Sequence, residues 1–140
     1  SGAITRLRDM GVEPFLLSST LLAVLAQRLV RLLCRECSES YVALNSEKAV
    51  LGKTEHDEVH LRRAKGCPAC GGTGYQGRTG IYEVIRVDNR MRGLIHDQAA
   101  EAELESAARE QTPSIMQDGI RKVLAGLTTL DEVLRVTRSE

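Results

Sequence analysis

Two Cys-x-x-Cys pairs constrain this chain more than any other feature. Cys34-Arg35-Glu36-Cys37 and Cys67-Pro68-Ala69-Cys70 are separated by 29 residues, and together they use every cysteine present. Two residues between paired thiols let the backbone turn so that both sulfurs reach one ion at ~2.3 Å; two such pairs fill the four positions of a closed, tetrahedral zinc site. The expectation is one structural Zn2+ held by Cys34, Cys37, Cys67 and Cys70. Redox chemistry needs one such pair rather than two, usually in a βαβ setting. An iron–sulfur cluster or rubredoxin-like iron also uses four cysteines. The glycines after Cys70 suit a tight turn that brings backbone amides near the sulfurs. Four thiolates around a divalent ion leave the site formally negative, and Arg35, Arg62, Arg63, Lys65 and Arg78 are close enough in sequence to offset that charge.

The 140 residues suffice for one ordinary domain, or two small ones sharing a core. Nineteen acidic and nineteen basic residues cancel, so no strong field steers the chain towards nucleic acid or anionic membrane. With no Trp and one Phe, it also lacks the aromatic platform on which single-stranded nucleic acid stacks. Arg6 and Arg8 ahead of the apolar run Phe15 to Ala26 imitate a secretory signal. Asp9 and Glu13 interrupt the basic part, however, and the apolar pattern continues past Gln27 and Arg28 to Leu33. The run also falls short of the ~20 apolar residues of a membrane span. A partly buried helix of a cytoplasmic protein is expected there.

Along the chain, residues 4–10 predict a short helix stopped at Gly11, and Pro14 opens another. From Phe15 to Leu33 the pattern predicts one long helix: Leu22, Leu25, Leu29, Leu32 and Leu33 share a stripe, with Thr20, Gln27 and Arg31 opposite. Residues 38–66 carry little pattern beyond a short helix near Ser46 to Leu51. The glycine-rich stretch from Gly66 to Gly80 excludes helix, and Thr79 to Val87 alternates as a strand. Helices follow: one capped by Asp88, one over Ala99 to Glu110, one from Ile115 to Leu124 ended at Gly126, and a last opened by the Thr129-x-x-Glu132 capping box.

Three further features resemble chemical motifs. Gly52-Lys53-Thr54 has the ending of a phosphate-binding loop, but the first glycine of that motif would fall on Glu47. His56 and His60 stand at helical spacing without the His-Glu-x-x-His order of zinc hydrolases. The unit Cys67-Pro68-Ala69-Cys70-Gly71-Gly72-Thr73-Gly74 matches one repeat of the DnaJ-type zinc modules, which need four.

The segments Ile4 to Ser19 (Ile-Thr-Arg-Leu-Arg-Asp-Met-Gly-Val-Glu-Pro-Phe-Leu-Leu-Ser-Ser), Leu25 to Cys34, Gly66-Cys67, Gly74 to Glu83 and Asp131 to Thr137 closely resemble the type II secretion ATPase (GspE) family. Type IV pilus assembly ATPases share much of the pattern, while the Ala-Gln-Arg-Leu-Val-Arg run and the Glu-Val-Leu-Arg-Val-Thr ending favour secretion. The resemblance implies a homohexameric ATPase on the cytoplasmic face of the bacterial inner membrane, partnered by inner-membrane platform proteins, that drives pseudopilus assembly and protein export. It implies neither nucleic-acid binding nor membrane insertion. It also implies that ATP and Mg2+ bind upstream, so this chain is expected to hold no catalytic and no nucleotide-binding residue; His56, His60 and His96 do not match the family's catalytic histidines. The expected fold is mainly α with a small zinc-bound loop and β subdomain, an α+β fragment of a RecA-like ATPase. Its expected segments are a helical one continuing the ATPase core (1–33), the tetracysteine subdomain (34–80), and a strand with C-terminal helices (81–140). A nucleic-acid-binding zinc ribbon and a self-sufficient metalloenzyme are the competing classes. The second conflicts with a four-thiolate site, which leaves zinc no open position.

Overall fold

The computed structural model describes residues 2–138, an α+β chain with two small sheets. In order the elements are α1 (Gly2–Asp9), α2 (Pro14–Thr20), β1 (Ala23–Leu33), β2 (Glu39–Val42), α3 (Asn45–Val50), β3 (His60–Arg63), β4 (Tyr75–Arg86), α4 (Asn89–His96), α5 (Glu101–Gln111), α6 (Ile115–Leu124) and α7 (Leu130–Thr137). Strands β1 and β4 form one two-stranded sheet, and β2 and β3 form the other. Bonds from the Val87 amide to the Leu22 carbonyl and from the Cys34 amide to the Gly74 carbonyl make the first pair antiparallel.

The long helix expected from Phe15 to Leu33 is a short helix followed by a strand. A spacing of four keeps residues on one face at a period of 3.6, but it is also a multiple of two, so Leu25, Leu29 and Leu33 share a strand face equally well. Along most of the strand the side chains that enter the core are instead those between them: Val30 is fully buried, whereas Leu22, Leu25 and Leu29 are 76%, 63% and 50% exposed, and of the leucine stripe Leu33, at the strand's end, is buried. Helix α2 stops where Ser18 and Ser19 donate to the Phe15 carbonyl and Thr20 donates to that of Leu16. Hydroxyls that bond back to the preceding turn compete with helix continuation, and Leu21 is already extended. Strands β2 and β3 show no pattern in the sequence, because four residues each give too short a run for alternation to stand out.

Contacts divide the chain into two compact units, residues 2–26 with 83–114, and residues 27–82 with 115–138. The first is built around Ile4, Leu17, Ile85, Val87, Met91, Ile95 and Leu104. Asp88 caps α4 by accepting from the Met91 amide at 2.9 Å, as its position ahead of the apolar run predicts. Arg109 of α5 is paired with Glu83 and Glu105.

The second unit has its own core of Val30, Leu51, Val59, Leu61, Ile81, Val123, Leu130 and Val133. Strands β2 and β3 run antiparallel with Tyr41 opposite Leu61 and Glu39 opposite Arg63. Helices α6 and α7 close at Gly119, where an added Cβ would lie 2.6 Å from Val133 Cγ1. The buried Asp118 of α6 accepts from the Tyr82 amide of β4 at 2.9 Å. Among the described residues, no helix is long and apolar enough to cross a membrane.

Candidate metal centre

All four cysteines lie in the second unit. Strand β1 ends by delivering Cys34, whose amide donates to the Gly74 carbonyl at 2.9 Å. The first pair then turns, with the Ser38 amide returning to the Cys34 carbonyl at 3.1 Å. Because Glu39 stands opposite Arg63, the β2–β3 ladder brings Cys37 back beside the second pair. That pair lies on the 3-10 turn Pro68–Cys70.

The sulfurs are arranged for an ion. Cys34 Sγ lies 3.8 Å from Cys67 Sγ, Cys37 Sγ 3.9 Å from Cys70 Sγ, and Cys67 Sγ 3.7 Å from Cys70 Sγ. All four fall within 4.8 Å of one another. Four sulfurs ~2.3 Å from a central ion form a tetrahedron whose edges are ~3.8 Å. A disulfide would require ~2.05 Å, and all four cysteines are free. The donor set and its spacing therefore fit a tetrahedral, thiophilic metal.

Backbone amides point at the sulfurs. The Gly66 amide donates to Cys37 Sγ at 3.3 Å, and the amides of Cys67 and Gly74 both donate to Cys70 Sγ at 3.2 Å. Two of these positions require glycine: Gly66 has φ +110° and an added Cβ would meet the Gly72 carbonyl oxygen at 2.7 Å, while Gly74 has φ +83° and its Cβ would meet Ala64 Cβ at 2.6 Å. Burial raises the Cys70 thiol, but the Cys67 and Gly74 amides outweigh it and bring it down to about 6. Cys67 is lowered by the Cys70 amide, yet burial and the proton it shares with Cys70 push it up to about 11. A divalent ion bound here would supply the charge that lets all four ionise together.

The cations near the cysteines in sequence are mostly engaged elsewhere. Arg62 donates to the hydroxyl and carbonyl of Ser38, Arg63 stacks 4.3 Å over the Tyr41 ring, and Lys65 pairs with Glu39 at 2.9 Å. The amides donate to the sulfurs directly, and of these side chains Lys65 also feels the charge of Cys37. Gly52-Lys53-Thr54 follows α3 instead of preceding a helix, so carbonyl ends rather than amides converge there, the wrong polarity for a phosphate. His60 pairs with Glu58 and His96 with Asp97. Among the described residues, the four cysteines are the one group of three or more metal-ligating side chains drawn together.

A second cluster was only half legible in the sequence. Thr129 caps α7 by accepting from the Glu132 amide at 3.3 Å, as the Thr-x-x-Glu pattern predicts. The Glu132 carboxylate, however, turns to Arg31: it accepts from that residue's amide at 2.8 Å and its guanidinium at 3.0 and 3.2 Å, and from Arg135 at 3.0 and 3.1 Å. Burial raises Glu132, but the Arg135 and Arg31 guanidiniums and the Arg31 amide hold it down at about 2.

Residues 1–135 match the family described as "Type II/IV secretion system protein". The chain is 58% identical over 139 residues to "Type II secretion system protein E" of Pseudomonas aeruginosa, covering 99% of this chain and 28% of that protein. It is 52% identical to "Type II secretion system ATPase E" of Vibrio cholerae, covering 98% and 27%. It is 50% identical to "Type II secretion system protein HxcR" of Pseudomonas aeruginosa, covering 97% and 26%. The chain thus spans a little over a quarter of the length of these relatives.

Proposed function

Because this chain belongs to the type II/IV secretion system protein family, we propose that it is the zinc-bound C-terminal portion of a type II secretion ATPase. In this reading the longer protein is a homohexamer at the cytoplasmic face of the inner membrane, where ATP turnover drives pseudopilus assembly and export. ATP and Mg2+ bind upstream, in a RecA-like core that this chain completes. The part played here is architectural: Cys34, Cys37, Cys67 and Cys70 hold one Zn2+, which fixes loops that dock the membrane platform or pass force to it. The observation that carries the zinc assignment is the sulfur tetrahedron, with edges of 3.7–3.9 Å where they are closest. Four protein thiolates leave the ion no position for water or substrate, which favours a structural over a catalytic metal. Loops held on a rigid scaffold are suited to binding partners. A nucleic-acid-binding ribbon is disfavoured by balanced charge.

The test is a Cys34→Ser, Cys37→Ser double substitution in the full-length ATPase. Export is expected to fail while nucleotide binding by the upstream core persists. Normal export from a folded, zinc-free variant would overturn the reading.

A further inference from the structure

The Glu132 carboxylate is 3% exposed and satisfied by two arginines whose own side chains are about half exposed. Such a group must hold its partners in place, since a buried carboxylate that loses a donor is left with an uncompensated charge. Its partners are placed with respect to the cysteines. Arg31 is three residues before Cys34, and Tyr75 directly follows Gly74, which binds both cysteine pairs through its carbonyl and amide. The Arg31 guanidinium stacks 4.1 Å over the Tyr75 ring, and the Tyr75 hydroxyl lies 2.9 Å from Thr129 Oγ1. Thr129 caps Glu132, which closes the circuit through β1, β4 and the start of α7. Two neighbouring bonds reinforce it: Thr128 Oγ1 donates to the Arg31 carbonyl at 2.7 Å, and the Leu33 amide donates to the Leu127 carbonyl at 2.9 Å.

We propose that Glu132 is a positioning residue for the metal centre: with Thr129 it fixes the end of β1 and the start of β4 so that Cys34 and Cys70 reach the same ion. The inference rests on the zinc reading above. It assigns a role in metal retention to a carboxylate 101 residues from the arginine it grips, with no contact to any sulfur. A second buried carboxylate in the same unit, Asp118, supplies the comparison. It also accepts a strand amide, but at Tyr82, away from the cysteine end of β4.

The experiment follows zinc release from the full chain into an excess of a colorimetric chelator, with the thermal midpoint measured alongside. Glu132→Gln is expected to release zinc roughly tenfold faster or more, the scale on which residues supporting metal ligands act. Tyr75→Phe, which removes only the hydroxyl, moves the rate in the same direction by less. Asp118→Asn keeps the wild-type rate even where its midpoint falls as far. Wild-type release from zinc-loaded Glu132→Gln, or rates that merely track thermal midpoint across all three variants, overturns the inference alone. If Glu132→Gln does not fold, an unchanged rate in Tyr75→Phe overturns it in the same way. A wild-type chain that carries no zinc overturns the zinc reading and this inference with it.

Discussion

The Cys34 amide donates to the Gly74 carbonyl at 2.9 Å, so the two cysteine pairs are joined by a backbone bond that needs no metal. A structural zinc site contributes an apparent ~10–16 kcal/mol, comparable to the stability of a whole domain. Chelation is nonetheless expected to loosen rather than unfold this unit, because its core of Val30, Ile81, Val123 and Val133 does not include the sulfurs. Hydrogen exchange after zinc removal should accelerate at residues 35–38 and 66–74, while α6 and α7 stay protected. Metal analysis of the purified chain should give one zinc per molecule; iron instead would refute the assignment.

Nucleotide binding is expected to be absent from the isolated chain. Lys53 is exposed and sits just past the C-terminal end of α3, where the local dipole repels phosphate. Calorimetry with Mg-ATP at micromolar concentration should show no heat of binding. Saturable binding lost in Lys53→Ala would contradict this.

The carboxyl of Glu132 should titrate near 2 rather than its ordinary 4.5. A folded value below the unfolded one adds stability that is fully present above about 4.5 and is lost as pH falls towards 2. Its size is on the order of 3 kcal/mol. Side-chain carboxyl 13C shifts read this group separately from the thiolates, which also protonate in acid. A midpoint near 4.5 would mean that Arg31 and Arg135 do not grip it in solution.

Glycine substitutions separate packing from backbone strain. Gly119→Ala places a methyl 2.6 Å from Val133 Cγ1 and 3.0 Å from Cγ2, an overpacking that should cost about 1–3 kcal/mol. Gly52→Ala meets nothing within 4 Å and suffers only from φ +75°, so about 1 kcal/mol is expected. Chemical denaturation should rank the first as the more damaging; equal losses would show that α6 and α7 can part at little cost.

How much of this was legible from residues alone depended on how local each signal is. The Cys-x-x-Cys pairs, the Asp88 and Thr129 caps, the helical propensity of α5 and the apolar pattern of α6 each lie within one turn or one short segment, and each appears where expected. Strand β1 was misread because leucine at four-residue spacing fits both periods, and only its pairing with β4 decides between them. The destination of the Glu132 carboxylate was hidden for a stronger reason. A Thr-x-x-Glu pattern predicts a local reciprocal bond, and nothing near residue 132 announces that a residue in β1 offers three donors instead.

That distance in sequence sets an order of events during synthesis. The last cysteine of the site, Cys70, precedes Glu132 by 62 residues. At roughly 5–20 residues per second, all four cysteines are synthesised several seconds before the carboxylate that steadies Arg31. At that stage the contacts that can bring the two pairs together are the Cys34–Gly74 bond and the β2–β3 ladder. If Glu132 positions the centre as proposed, an ion bound before α7 is made would exchange more readily than one bound after it, and zinc loading would be easiest while the protein is still being made.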